Sequence, residues 1–282
     1  MIVVTGATGQ LGQLVIESLL TRVPAGEIVA AVRNPAKAAG FAAKGVQVRE
    51  ADYARPETLA TAFAGATKVL LISGNEVGQR IPQHKAVIDA AKAAGAKLIA
   101  YTSLLRADST HLVLATEHLA TEEYLRASGV PFALLRNGWY TENHTAGIPA
   151  VLEHGVVLGA SGEGRFATAA RADYAEAAAV VLAGEGHENK IYELAGDSAY
   201  TRAEFAAELS RQTGKAIAYQ NLPEAEFEKI LSGFLPPELA HILADADAHA
   251  AKGALDDSSR TLSRLIGHPT TPSVETIAAA LR

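Results

Sequence analysis

Six short runs of apolar, largely β-branched residues recur through the first half of the chain, at positions 2–5, 28–32, 46–49, 69–72, 98–102 and 132–135. Each is nearly continuous instead of alternating, which is the pattern of a strand covered on both faces. Segments with helical spacing lie between them, at 11–21, 56–63, 82–94 and 116–127. Gly45, Gly65, Gly95 and Gly129 stand just before the strands that follow. Strand and helix alternating with crossovers of this length predict a parallel, right-handed, doubly wound α/β sheet.

The rhythm breaks after Asn137. Residues 155–164 carry four glycines and read as loop, 172–183 as a helix and 191–194 as a strand. Residues 201–213 read as a helix opened by the capping box of Thr201 and Glu204. The remainder is mostly helical, with breaks at Gly233, Gly253 and Gly267. No repeat, low-complexity linker or charge block separates the halves. The pattern therefore predicts two domains, 1–140 and a smaller, mostly helical C-terminal lobe at 141–282 packed onto the first.

Composition narrows the functional classes. At 282 residues and 49% hydrophobic content the chain buries a core without staples, since roughly 75% of the unfolded surface is hidden at this size. It has no cysteine, which removes disulfides, thiolate catalysis and thiolate metal sites and fits a reducing compartment. With 25 Lys+Arg against 31 Asp+Glu and a net charge of −6, it lacks the basic clusters that nucleic acid or an anionic membrane selects. The longest uncharged apolar runs fall far short of a membrane span, and the N-terminus lacks a basic region and long apolar stretch. A cytoplasmic protein is expected, with homo-oligomerisation left open.

The first strand runs directly into Gly6-Ala7-Thr8-Gly9-Gln10-Leu11-Gly12, and a helix follows at once. A dinucleotide site needs a tight turn at the first glycine, a bare backbone at the second to approach a pyrophosphate, and close helix–strand contact at the third. The helix N-terminus then faces the phosphates. This is a Rossmann arrangement. The end of the second strand reads Arg33-Asn34-Pro35-Ala36-Lys37, without the carboxylate that commonly accepts a bond from the ribose 2′-hydroxyl of NAD. Arg33 instead suits a 2′-phosphate, with Lys37 as a second cation, so NADPH is expected over NADH. A solvated arginine in a βα turn is the plainer alternative. Asp52-Tyr53 is expected near the adenine, and Ser73, Gly74 and Asn75, after the fourth strand, near the riboses and nicotinamide.

The catalytic pair familiar from such folds is missing. None of the eight tyrosines has a lysine four residues on, so Tyr-x-x-x-Lys acid–base chemistry is not encoded. No two histidines are spaced i, i+4, which speaks against a metal site. Ser103 has neither a paired tyrosine nor a His-Asp partner in the pattern and is expected to contact cofactor or substrate.

The spacing of the glycines resembles that of the short-chain dehydrogenase/reductases. The resemblance is sharper to their atypical NmrA-like branch, carried by Val3 through Gly9, Val32-Arg33-Asn34-Pro35, Tyr101-Thr102-Ser103, and the run Glu123-Tyr124-Leu125-Arg126-Ala127-Ser128-Gly129-Val130-Pro131 leading into Leu134-Leu135-Arg136-Asn137-Gly138-Trp139-Tyr140. Within that branch the chain is similar to the bacterial NADPH-dependent quinone reductases of type 2, on Gly78-Gln79-Arg80, the 135–140 segment, Tyr192-Glu193-Leu194-Ala195-Gly196-Asp197-Ser198 and Leu265-Ile266-Gly267-His268-Pro269-Thr270-Thr271.

That resemblance implies two-electron reduction of quinones or related conjugated acceptors by NADPH. A quinone already accepts electrons well, so holding it against the nicotinamide replaces acid catalysis. The resemblance implies that Asn137, Gly138, Trp139, Tyr140, Thr141 and Glu142 line the nicotinamide side. Asn137, Trp139 and Tyr140 would position the acceptor, and Thr168 and Arg171 would reach the cofactor from the second lobe. Trp139, the sole tryptophan, equally suits an apolar core. Many relatives carry lysine where this chain has His118, and a tyrosine four residues earlier would fall on Leu114. His118 is expected to be a polar surface or rim residue, with a weak proton donor or cofactor contact as the alternative. Phe227, Leu231, Phe234 and Leu235 are expected to cover the acceptor or to form second-lobe core. A different class of function stays open, a non-catalytic NADP-binding redox sensor of the NmrA-like type.

Overall fold

The computed structural model describes residues 1–282. In chain order the elements are β1 (Ile2–Thr5), α1 (Gln10–Leu20), β2 (Ile28–Val32), α2 (Ala39–Ala43), β3 (Gln47–Glu50), α3 (Pro56–Ala62), β4 (Lys68–Leu71), α4 (Arg80–Ala93), β5 (Leu98–Leu104), α5 (Ala115–Ala127) and β6 (Phe132–Asn137). There follow α6 (Thr141–Thr145), α7 (Ile148–His154), β7 (Val156–Gly159), β8 (Arg165–Phe166), α8 (Arg171–Ala183), β9 (Lys190–Leu194) and β10 (Tyr200–Thr201). The chain closes with α9 (Arg202–Thr213), β11 (Ala218–Asn221), α10 (Glu224–Leu231), α11 (Pro237–Ala250), α12 (Thr261–Ile266) and α13 (Ser273–Ala280).

The strands form a seven-stranded sheet ordered β3-β2-β1-β4-β5-β6-β9, parallel through β1 to β6. Strand order reverses between β1 and β4, which opens a crevice at their carboxyl ends. β1, β2 and β5 are buried along their whole length, as expected of strands covered on both faces.

The chain divides into two compact units, but not by one cut near residue 140. The first holds Met1–Ala107, Glu117–Asn137 and Arg171–Tyr192; the second holds Asp108–Thr116, Gly138–Ala170 and Glu193–Arg282. The return of 171–192 to the first unit has a packing cause. α8 buries Ala175, Ala177, Ala178, Ala179, Val181 and Leu182, a run of small side chains that lets it lie close along α1. α1 offers Leu11, Val15, Ile16 and Leu19 in return, and Arg22 pairs with Glu176 at 2.6 Å. Leu19 is fully buried, so Leu19→Ala costs about 2–5 kcal/mol.

The second unit contains two small sheets, β7 with β11 in parallel and β8 with β10 antiparallel. The 155–164 stretch is therefore not loop throughout. Val156 and Val157 give β7 its β character despite the glycines, and β11 supplies the pairing partner. The capping box at α9 is present in both directions. The expected apolar stripe on α10 splits. Phe227 packs in a cluster with Leu222, Ala244 and Leu231, whereas α10 ends at Leu231 and leaves Phe234 69% exposed. Phe234 lies past the helix end and so cannot share its face.

Candidate functional site

The glycine turn has the geometry the spacing demands. Gly6 adopts φ +59°, a left-handed conformation favoured by glycine, and its carbonyl accepts from the Gly9 N–H at 2.9 Å. At Gly12 a Cβ would stand 2.4 Å from the Gly6 oxygen and 2.7 Å from the Ala7 Cα, so no side chain fits there. Thr8 is anchored through its carbonyl, which accepts from Gln13 Nε2 at 2.8 Å. α1 starts at Gln10 with no side chain capping from Gly9. The first-turn amides of Gln10, Leu11 and Gly12 stand at the positive end of an 11-residue helix, where a phosphate could accept from them.

Beneath the turn, the Thr5 hydroxyl donates to the Leu70 carbonyl at 2.8 Å and accepts from the Ile72 N–H at 3.1 Å. The Tyr53 hydroxyl lies 2.5 Å from the Thr5 hydroxyl and 3.0 Å from the Ile72 oxygen. Burial pushes its phenol well above the ordinary tyrosine value. Tyr53 thus ties the ends of β1 and β4 together, while Asp52 accepts from the Ala54 N–H at 3.0 Å.

At the end of β2, Arg33 is exposed and its guanidinium meets Glu76 at 3.0 Å. Asn34 accepts from the Ala36 N–H at 3.0 Å and so shapes the turn that leaves Lys37 in solvent. The loop of Ser73, Gly74 and Asn75 is held from below. The Ser73 N–H donates to Thr102 Oγ1 at 2.8 Å, the Gly74 N–H to His84 Nε2 at 2.9 Å, and Arg80 Nε to the Gly74 carbonyl at 2.7 Å. Since His84 Nε2 accepts, the hydrogen-bond network assigns the ring proton to Nδ1, 3.0 Å from Thr121 Oγ1. Burial, then the nearby Arg80 charge, pushes the His84 value down to about 3, so the ring is neutral at pH 7.

The region where an acid–base pair would be sought holds two buried clusters. In the first, the Tyr101 hydroxyl on β5 meets His118 Nδ1 on α5 at 2.8 Å. His118 is buried, which corrects its expected place on the surface or rim. Helical position alone did not reveal that this face of α5 lies on the sheet. Burial, then the Arg80 charge and His84, pushes its value down to about 3. In the second, Ser103 donates to Glu122 Oε1 at 2.6 Å. Arg136 clamps the same carboxylate, Nε at 2.9 Å and Nη2 at 2.6 Å. Ser103, expected to touch cofactor or substrate, is engaged by a buried ion pair. The sequence offers no motif for Glu122 or His84, and it gives Arg80 and Arg136 no role of their own, because their bonds to Gly74, Ser103 and one another form only when separate elements meet.

In the second unit, the turn after Asn137 is fixed by its backbone. Gly138 N–H donates to the Leu194 carbonyl at 2.7 Å, the Trp139 carbonyl accepts from Ala169, and Thr141 N–H donates to the Ala169 carbonyl at 3.0 Å. Tyr140 pairs with Ala169 in an isolated parallel bridge. Thr141 donates to Thr168 at 2.8 Å, and Tyr200 links Thr168 to His144 Nδ1 at 2.8 Å. Trp139 and Thr168 are buried, Tyr140 and Glu142 half-buried. Asn137 closes β6 in the first unit, and Arg171 opens α8. A cavity of about 250 Å³ beside Tyr200, Phe205 and Ile277 includes none of the expected site residues. No helix is long and apolar enough to cross a membrane.

The chain is similar to proteins already known. The profile of the NmrA-like family matches residues 1–271. Quinone oxidoreductase 2 of Escherichia coli is 59% identical over 279 residues, covering 99% of this chain and 98% of that protein. The crystal structure of the NADPH-dependent quinone oxidoreductase from Escherichia coli complexed with NADPH is similar at a TM-score of 0.97 and 58% identity, covering all of both chains. Triphenylmethane reductase of Citrobacter sp. complexed with NADP(H) gives a TM-score of 0.95 at 42% identity, with 99% and 100% covered.

Proposed function

The chain belongs to the NmrA-like family, and from that premise we propose that it is an NADPH-dependent oxidoreductase that reduces quinones or related conjugated acceptors by two electrons. The observation that carries the reading is the β1–α1 turn, where the close approach at Gly12 excludes any side chain and the uncapped helix start presents its amides. The quinone oxidoreductase of Escherichia coli, similar along the full length, supplies the reaction class.

NADPH, when bound, supplies a hydride from its nicotinamide ring. In our reading Gly6, Ala7, Thr8, Gly9, Gln10, Leu11 and Gly12 hold the pyrophosphate, and Arg33 meets the 2′-phosphate. Ser73, Gly74 and Asn75, steadied by Thr102, His84 and Arg80, orient the sugar that follows. Asn137, Gly138, Trp139, Tyr140, Thr141, Glu142, Thr168 and Arg171 serve the nicotinamide end, and Asn137, Trp139 and Tyr140 position the acceptor. His118, neutral at pH 7 because burial holds its value near 3, is a poor source of a proton. The reduced oxygens therefore take protons from water, and the protein contributes alignment. The absence of cysteine suits a cytoplasmic setting.

The test is purified protein with NADPH and a panel of small quinones, triphenylmethane dyes and simple ketones, followed by cofactor absorbance. Oxidation of NADPH that depends on the quinone or dye, and is negligible with ketones, is the expected outcome. Tight NADPH binding without acceptor-dependent oxidation would reverse the reading in favour of a sensor.

A further inference from the structure

The expected 2′-phosphate partner is already engaged. Arg33 Nη1 lies 3.0 Å from Glu76 Oε1, and the other oxygen of that carboxylate accepts from Gln83 Nε2 at 2.7 Å. The two side chains are 65% and 47% exposed, so the pair is solvated and readily broken. Gln83 sits on α4, whose Arg80 and His84 hold the Gly74 backbone, and its amide bonds the Glu76 carboxylate that faces Arg33. Nothing in the nucleotide chemistry requires an acid here. A carboxylate beside a 2′-phosphate is repelled by it, whereas the same carboxylate can accept a hydrogen bond from a 2′-hydroxyl.

We propose that Glu76 is a specificity-determining residue of the adenosine-ribose subsite, occupying Arg33 in the free protein and reducing its discrimination between phosphorylated and unphosphorylated dinucleotides. The inference rests on the reading of Arg33 as the 2′-phosphate cation. An arriving 2′-phosphate must displace Glu76 from the guanidinium or share it, and either arrangement opposes binding of NADPH but not of NADH. Gln83 is a positioning residue, acting through Glu76.

Calorimetric titration with NADP⁺ and NAD⁺ tests this on the parent, Glu76→Gln and Arg33→Gln proteins, with circular dichroism checking that the fold is retained. Glu76→Gln keeps an acceptor for Gln83 and removes only the charge. It should tighten NADP⁺ roughly 3- to 10-fold while leaving NAD⁺ unchanged or weaker, and Arg33→Gln should weaken NADP⁺ at least about tenfold. If Arg33→Gln weakens NADP⁺ but Glu76→Gln leaves its dissociation constant unchanged or raises it, the Glu76 inference fails and the Arg33 reading stands. If Arg33→Gln leaves NADP⁺ binding untouched, the reading of Arg33 itself fails and the inference with it.

Discussion

Two arginine–carboxylate pairs in the first unit use the same chemistry to opposite ends. Arg136 and Glu122 have side chains 2% and 0% exposed, with contacts of 2.9 and 2.6 Å and a further 2.6 Å bond from Ser103. Arg33 and Glu76 are 65% and 47% exposed and share one contact of 3.0 Å. The buried carboxylate cannot lose a partner without standing uncompensated in a low-dielectric interior. The exposed one exchanges its partner with water at little cost. Burial, then, makes the first pair a fastener between β5, α5 and β6, and leaves the second available to a ligand.

The sharpest way to break this contrast is to truncate both acids. Glu122→Ala should lower unfolding free energy by about 3–5 kcal/mol, and Glu76→Ala by less than about 1 kcal/mol, both read from urea denaturation. Comparable losses would erase the distinction. Next in size, Arg33→Asp should weaken NADPH roughly 10- to 100-fold by placing a repulsive charge at the 2′-phosphate, with the melting temperature nearly unchanged. Equal affinity of the unaltered protein for NADH and NADPH would remove the basis for this expectation.

Acid gives a third comparison. His84 and His118 are held near 3 in the folded chain against an ordinary 6.5, so each takes up a proton on unfolding between those values. Their contribution is complete above about pH 6.5 and falls as pH drops toward 3, by up to about 1.4 kcal/mol per pH unit for each ring. His118→Gln should make that decline shallower by about one proton in a stability–pH profile, and a parallel profile would show that His118 is not buried and neutral as described. The smallest effect is expected on catalysis. His118→Gln should leave quinone turnover within about tenfold of the parent, below the 10²–10⁴ of a general acid, and a larger loss with NADPH binding intact would make His118 the donor.

Parallel strands were legible because burial on both faces leaves an apolar run that needs no partner to be recognised: β1 and β2 fall at the predicted residues. The turn was legible because its constraint is local, three glycines within seven residues. β7 is hidden among the glycines of 155–164, since the strand exists only through pairing with β11. Likewise the return of α8 to α1 depends on small surfaces matching across more than 150 residues. The burial of His118 leaves no sign in α5 itself, because the partner that marks it, Tyr101, lies on β5. Arg33 could be read for its chemistry, but Glu76 beside it could not. Pairings between distant segments leave no periodic trace.

The most direct test of the central claim is a single-turnover experiment in which protein loaded with NADPH, deuterated at one or the other C4 position, is mixed with a simple benzoquinone. The account predicts rapid cofactor oxidation that is slowed by deuterium at only one of the two positions, as a hydride passed within a fixed geometry requires. Bound NADPH that persists in the presence of the quinone, or oxidation indifferent to either label, would contradict it.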